Sequence, residues 1–455
     1  MTTSSSNLSA ERSWSSGFGF IMATVGGAIG LGNIWRFPYA VGNNGGSAFV
    51  LAYLAALLLI ALPLLLAEMS VGRAGGMSAP NSLRKLARES GSSSAWVGLG
   101  WLNMLTLFLV LSFYSVIAGW TLAYVIKLGS GMLSGLEISQ VEAAFTGHLG
   151  KPAQLLGWHV VTMVLTMFIV SRGVSSGIER VTSVLMPLFF TVLVGLVIYA
   201  LRVGDVAAAL KYLFEPDFSQ LTPRVMLEAV GQAFFSVTVG TGVMLTYAAY
   251  LPKEVPLARS ATIAAGADTL VALLAGLAIF PIVFAYGLDP GEGAGLIFVT
   301  LSAAFAQMSG GAVLGTVFFL LVFVAALTSC IAILEPMVAR AEEIGHINRP
   351  KATLLVGGAI TLFGLSTIFS FNVWQDFRPV AGRNLFELFD YFVSNICLPL
   401  GGMLYAIFAG WKLTAETTRQ SLSMSDGLLF QTWRFLTRYV APLVIAVLLV
   451  FSLTG

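Results

Sequence analysis

The sequence predicts an all-α integral membrane protein of about eleven transmembrane helices, built as a five-helix unit used twice in inverted orientation. Three observations predict it. Of 455 residues, 57% are hydrophobic and only 10% charged, where a soluble domain is about a quarter charged. So few charges cannot cover a water-facing surface, and the bilayer is the alternative solvent. Apolar runs long enough to cross a bilayer recur along the whole chain. Two of those runs, the first and the sixth, are interrupted by glycine at their centres.

The expected spans are 16–40, 46–71, 96–126, 154–171, 180–202, 224–250, 260–287, 312–341, 352–371, 385–410 and 435–454. With the N-terminus in the cytoplasm, the inner loops and tail hold 16 of the 24 basic residues, which favours that orientation. An odd span count then places the C-terminus outside. The longest loops are 127–153, 203–223 and 288–311, and the last reads as a short helical hairpin on the outer face. The N-terminus is polar and has no signal-peptide core before residue 17. A net charge of +2 suggests no nucleic-acid partner, and His148, His159 and His346 have no metal-ligand spacing. Cys330 and Cys397 both sit in apolar stretches and imply no disulfide framework.

The interruptions carry the chemistry. Span 1 contains VGGAIGLGN, residues 25–33. Glycine eases departure from helical geometry and lets a ligand approach the backbone. Backbone unwound at membrane depth needs partners other than lipid, and bound ions with a polar substrate would supply them. Close packing through small residues would also explain the glycines. Span 6 shifts the balance. It reads FFSVTVGTGVMLTY over 234–247, with Ser236, Thr238 and Thr241 around Gly240 and Gly242. Two broken helices five spans apart would build one site at the midplane, with positive half-helix ends toward an anion and freed carbonyls toward cations.

A charge within a span costs about 2.5–3.5 kcal/mol on insertion scales, so each needs a reason. Asp268 lies well inside span 7 and reads as a cation ligand or as a cap on a helix break. Arg36 ends span 1 and Asp390 begins span 10; they are interface residues or a gating pair. Glu68 and Glu335 are as readily structural as functional. Thr328 and Ser329 in span 8 either bond back to the preceding turn or offer oxygens to a hard cation.

The string GGAIGLGNIWRFPYAVGNNGGSAF, residues 26–49, closely resembles the helix 1–2 signature of the neurotransmitter:sodium symporters, whose structural archetype is the bacterial leucine transporter with its LeuT fold. The resemblance continues through residues 112–124, 177–190, 229–250, 324–337 and 385–392 and follows all eleven spans in order. It implies two sodium ions and no organic cofactor. One sodium would be held by the Ala28 carbonyl, the Asn33 side chain, Ser236 and Asp268. The second would use the Gly26, Ile29 and Ala325 carbonyls with the Thr328 and Ser329 hydroxyls. A substrate carboxylate would meet the first sodium, the amides near Leu31 and Gly32, and the Tyr114 hydroxyl. Its amine would face the Ala28, Phe235 and Ser236 carbonyls and the Thr238 hydroxyl. Val110, Phe235, Thr241, Ser329 and Ile333 would line the side-chain pocket. Tyr114 with Phe235, then Arg36 with Asp390 beside Gln232, would close the outer side. Arg12 with Glu343, near Trp14 and Tyr250, would close the inner side.

The resemblance also implies what the substrate is. Gly30 stands where monoamine-carrying relatives have an aspartate, so the substrate would bring its own carboxylate. Asp268 stands where many relatives have asparagine, so its charge would replace chloride. Thr241 replaces a bulky aromatic of the leucine-selective pocket, which would admit a larger or more polar side chain. Gly177 and Pro187 in span 5 are ten apart; relatives with this spacing unwind there, while a proline kink alone would also explain it. The implied function is sodium-coupled import of a neutral, hydrophobic L-amino acid by alternating access, in the cell membrane and in contact with lipid. A non-α amino acid such as taurine or a γ-amino acid is the alternative. A channel would need a continuous polar file, and an enzyme a nucleophile–base pair; neither is seen. The expected organisation is a cytoplasmic segment 1–15, a first repeat 16–202, an extracellular loop 203–223, a second repeat 224–410, and a cytoplasmic loop with helix 11 over 411–455.

Overall fold

The computed structural model describes residues 13–291 and 295–454, and side chains up to residue 452. Among them every regular element is helical. Nine helices among the described residues are long and apolar enough to span a bilayer: α3 (Ser47–Gly75), α5 (Ser94–Gly129), α7 (Pro152–Ser171), α8 (Val174–Val203), α12 (Leu257–Ala285), α14 (Gly311–Gly345), α15 (Arg349–Phe369), α16 (Leu385–Lys412) and α18 (Leu428–Ser452). A tenth is the pair α1 (Gly17–Ala28) and α2 (Gly32–Asn43), bent by 49° at its break. The expected sixth span is divided into α10 (Pro223–Ser236) and α11 (Val243–Ala249), each too short to cross alone.

The core is built on α14 and α5. The most apolar stretch of α14 is 83% buried, whereas that of α18 is 22% buried and faces outward. α14 packs along α5, and α1 lies against α8, α12 and α14. The expected loops are helical in part. Residues 127–153 contain α6 (Ile138–Leu149), 203–223 contain α9 (Val206–Phe214), and 411–434 contain α17 (Ala415–Leu422). The expected hairpin at 288–311 is one helix, α13 (Leu296–Gln307), in its described part. Phe298 on it stacks on Phe145 of α6 at 5.3 Å, so apolar side chains at this end of the bundle pack against each other. α8 begins six residues before the expected boundary, because a π-helical turn over Val174–Glu179 extends it past the charged pair Glu179–Arg180. The short α4 (Ala79–Glu89), between α3 and α5, buries Leu83 and Leu86 and leaves Arg84, Lys85 and Arg88 exposed.

Candidate functional site

Span 1 breaks over three residues. α1 ends at Ala28 with Ile29 extended at φ −69°, ψ 120°. Two amides freed there find side-chain acceptors: Gly30 N–H donates to Asn33 Oδ1 at 3.1 Å and Leu31 N–H to the Tyr114 hydroxyl at 2.9 Å. Span 6 breaks over six residues, with Thr238 (φ 58°), Gly240 (86°) and Gly242 (83°) in the left-handed region. Glycine adopts it freely; threonine does so only where its surroundings hold it. Glu68 does much of the holding. Its carboxylate accepts from the amides of Gly240 at 2.7 Å, Gly242 at 3.1 Å and Leu245 at 3.3 Å. A carboxylate inside a span thus finds its reason in three amides with no helical partner.

Beside the two breaks lies a polar knot with no solvent exposure. Asn33 Nδ2 donates to Asp268 Oδ1 at 2.7 Å, to the Asp268 carbonyl at 3.1 Å and to Ser236 Oγ at 3.1 Å. Ser236 Oγ donates to the other Asp268 oxygen, and Tyr53 bonds Ser236 at 3.2 Å. Ser236, Tyr53 and Asp268 bring oxygens together here, the chemistry a hard cation prefers, while Asn33 turns its amide nitrogen to Ser236 and Asp268 and its oxygen to Gly30 N–H. A second oxygen cluster joins α1 to α14. Ser329 Oγ donates to the Ile29 carbonyl at 3.0 Å, and Thr328 Oγ1 to the Ala325 carbonyl at 3.0 Å. A Cβ at Gly26 would stand 3.3 Å from Thr328 Cβ, so these helices approach closely. Among the described residues no three His, Cys, Asp or Glu side chains group as a transition-metal site.

Between the two clusters is a cavity of about 40 Å³. It is lined by ten of the twelve residues expected to touch substrate, together with Gly27 and Leu398. The other two lie next to it: Ser236 in the knot, and Leu31 under an outer cavity of about 130 Å³. Tyr114 and Phe235 line both cavities and form the partition. Thr241 lines the cavity as expected, with its hydroxyl engaged within the break. Its hydroxyl donates to the Thr238 carbonyl at 2.8 Å and accepts from Val243 N–H at 3.2 Å, so it is committed to the break rather than offered to a polar substrate.

The Sodium:neurotransmitter symporter family model matches residues 11–136 and 137–455. The chain belongs to this family. It is 40% identical, over 96% of both chains, to the uncharacterized sodium-dependent transporter YhdH of Bacillus subtilis strain 168. It is 32% identical, over the full length of both, to an uncharacterized sodium-dependent transporter of Haemophilus influenzae. Among solved structures, MhsT in complex with L-phenylalanine superposes with a TM-score of 0.90 at 39% identity, covering 97% of this chain and 99% of that one. This symporter is therefore a multi-pass, sodium-dependent transporter of the LeuT fold.

Side chains pack across both ends of the symporter's site, the ends expected from the sequence to face outward and inward. On the outer side Arg36 lies over the Phe235 ring, 4.4 Å from its centroid. The expected direct pair with Asp390 is absent: Ser394 stands between, accepting from Arg36 at 3.4 Å and donating to Asp390 at 3.2 Å. Gln232 donates to the Gly32 carbonyl at 2.9 Å, tying α10 to α2. On the inner side Trp14 is buried and donates to the Tyr247 carbonyl at 2.9 Å, while Ser15 and Ser16 bond Glu179. The Arg12 half of the expected inner pair lies outside the described residues. Glu343 accepts from Ser78 N–H at 2.9 Å and Asn81 at 2.7 Å, with Arg340 at 3.5 Å. Tyr250 donates to Glu335 at 3.3 Å, and Glu335 and Glu342 flank the buried Arg349. Sequence reasoning missed Arg349, because it sits at the head of an apparently water-facing turn. It also missed Glu179, hidden in the charged start of α8. In span 5 Gly177 lies in the π-helical turn and Pro187 inside α8, which is continuous through both.

Proposed function

We propose that this symporter imports a neutral, hydrophobic L-amino acid with two sodium ions and without chloride, by alternating access. The observation that carries the reading is one small cavity, lined by Gly30, Tyr114, Phe235 and Ser329, beside the Tyr114–Leu31 amide pair, the Asn33–Ser236–Asp268 knot and the Ile29–Ser329 contact. A substrate carboxylate placed at the Tyr114–Leu31 pair faces the end of α2, where helix amides favour negative charge. Position 30 supports a substrate with its own carboxylate. A Cβ there would overlap the Tyr114 hydroxyl and stand 2.6 Å from Ser329 Oγ, leaving no room for an acidic side chain. Val110, Phe235, Ile333 and Leu398, with the Thr241 hydroxyl engaged elsewhere, favour an apolar side chain. The likeness to MhsT, solved with L-phenylalanine, supports the same class.

One sodium would sit within the knot, drawing the Ala28 carbonyl, Asn33, Ser236 and Asp268 around it. The other would sit among Gly26, Ile29, Ala325, Thr328 and Ser329. Asp268 supplies fixed negative charge beside the first ion, the role an external anion would otherwise fill. A space of about 40 Å³ admits few water molecules, so substrate must widen it by moving Phe235 and Arg36. Spans 1, 2, 6 and 7 would tilt together, and α8 would unwind between Gly177 and Pro187 to admit cytoplasmic water. The basic inner loops favour a cytoplasmic N-terminus in the cell membrane, with 16–202 and 224–410 as the inverted repeats.

The test is thermal stability of the purified symporter against single amino acids. Stabilisation is expected for hydrophobic L-amino acids only when sodium is present. Taurine or γ-aminobutyrate stabilising instead would overturn the α-amino-acid assignment. Hydrogen exchange across 177–187 should fall on adding sodium; equal protection in both conditions would leave Pro187 a simple kink.

A further inference from the structure

The unwound segment of span 6 has a second holder that neither the sequence pattern nor the ion sites explain. Asn103 lies in an apolar stretch of α5 and is fully buried. Its Nδ2 donates to the Gly240 carbonyl at 2.7 Å, and its Oδ1 accepts from the Tyr405 hydroxyl of α16 at 2.5 Å. The two bonds fix the amide's direction. A carbonyl can only accept, so nitrogen faces Gly240 and oxygen is left for the Tyr405 proton. The fit is tight. A Cβ at Gly242 would stand 3.0 Å from Asn103 Cβ, and one at Gly401 of α16 would overlap the Gly240 carbonyl. Gly240 thus has its amide on Glu68 and its carbonyl on Asn103, from opposite partners. Its neighbour Thr241 and nearby Thr238 and Leu398 line the substrate cavity.

We infer that Asn103, oriented by Tyr405, is a positioning residue that sets the depth of the substrate pocket and so selects the size of the substrate side chain. It touches no expected ligand and acts through the Gly240 carbonyl on the segment carrying Thr238 and Thr241. The knot of Asn33, Ser236 and Asp268 lies outside that segment and shares no bond with Asn103, so sodium binding is independent of it. This inference rests on the amino-acid reading above.

The experiment is a thermal-shift titration of the purified full-length symporter with sodium alone, then with L-alanine, L-leucine, L-phenylalanine and L-tryptophan in sodium. Asn103→Leu keeps the volume and removes both bonds; Tyr405→Phe removes only the bond that orients the amide. The expected result is an unchanged shift with sodium alone in both variants. Affinity for the ligand the unaltered protein prefers should weaken about tenfold in Asn103→Leu and less in Tyr405→Phe. The preference order among the four amino acids should also change, and the double variant should lose no more than Asn103→Leu. Equal weakening for all four ligands with the order kept, or loss of the sodium shift, would overturn it and leave Asn103 a structural brace. Should Asn103→Leu fail to fold, an unaltered order in Tyr405→Phe overturns it as well. An unaltered protein that answers sodium but none of the four ligands sinks the amino-acid reading, and this inference with it.

Discussion

The two broken spans solve the same backbone problem in different ways. At the span 6 break, side chains that line no expected ligand site take up the freed groups: Glu68 holds three amides and Asn103 a carbonyl, all buried. At the span 1 break, the partners are groups expected to touch ligand. Asn33 takes the Gly30 amide, Tyr114 the Leu31 amide, and Ser329 donates to the Ile29 carbonyl. Six unwound residues with three in the left-handed region need bracing whatever is bound. Three residues without positive φ can exchange their side-chain partners for ions and substrate. The difference suggests a division of labour, in which span 6 is the anchored frame and span 1 the segment whose bonds are traded during binding.

The largest expected effect attacks the frame. Glu68→Ala leaves three buried amides without an acceptor, each costing about 1–3 kcal/mol. Its melting temperature in detergent should fall further than that of any variant below, with or without sodium. Glu68→Gln keeps an acceptor oxygen and should fall less; an unmoved Glu68→Ala would remove the distinction between the two breaks. Next comes the knot. Asp268→Asn should abolish uptake into chloride-free proteoliposomes or make it depend on added chloride. Full chloride-free uptake in that variant would mean that Asp268 is only a brace for Asn33. Third, Gly30→Ala presses a methyl against Tyr114 and Ser329. It should weaken amino-acid affinity about tenfold in a binding titration, with the melting temperature of the ligand-free protein nearly kept, because span 1 is the traded segment. The smallest effect is at the outer rim. Ser394→Ala removes the bridge between Arg36 and Asp390, a half-buried polar link of modest worth. The uptake rate should change by about two- to fivefold, and an effect as large as that of Gly30→Ala would show that the rim, not span 1, limits transport.

Several site features were legible because one residue type in the wrong solvent demands an explanation. Asp268 and Glu68 stood out as carboxylates in apolar runs; Glu68 holds three amides of the span 6 break, and Asp268 bonds the side chains of Asn33 and Ser236. The glycines of spans 1 and 6 marked the breaks, and the resemblance named the residues that line the cavity. Other features left no such mark. Asn103 and Tyr53 are single polar residues among apolar neighbours, ordinary in a membrane helix. Tyr405 has the same character. Arg36 and Asp390 read as a direct pair, yet Ser394 four residues on lies one turn away and takes both. The helices α6 and α9 read as loops, and α13 as part of a short hairpin, because their apolar stretches are too short to span. They bury those faces against each other and the span ends.

By itself the sequence determined the solvent, the number of spans to within the divided sixth, and the two places where helix must give way. Composition and glycine spacing are local properties, and the bilayer enforces them directly. Only the tertiary structure decided who satisfies the freed backbone. Hydrogen-bond partners such as Glu68 and Gly240, 172 residues apart, or Asn103 and Tyr405, 302 apart, meet through packing of separate helices. No local pattern encodes such a pairing, because any buried polar side chain reads the same until its partner stands opposite.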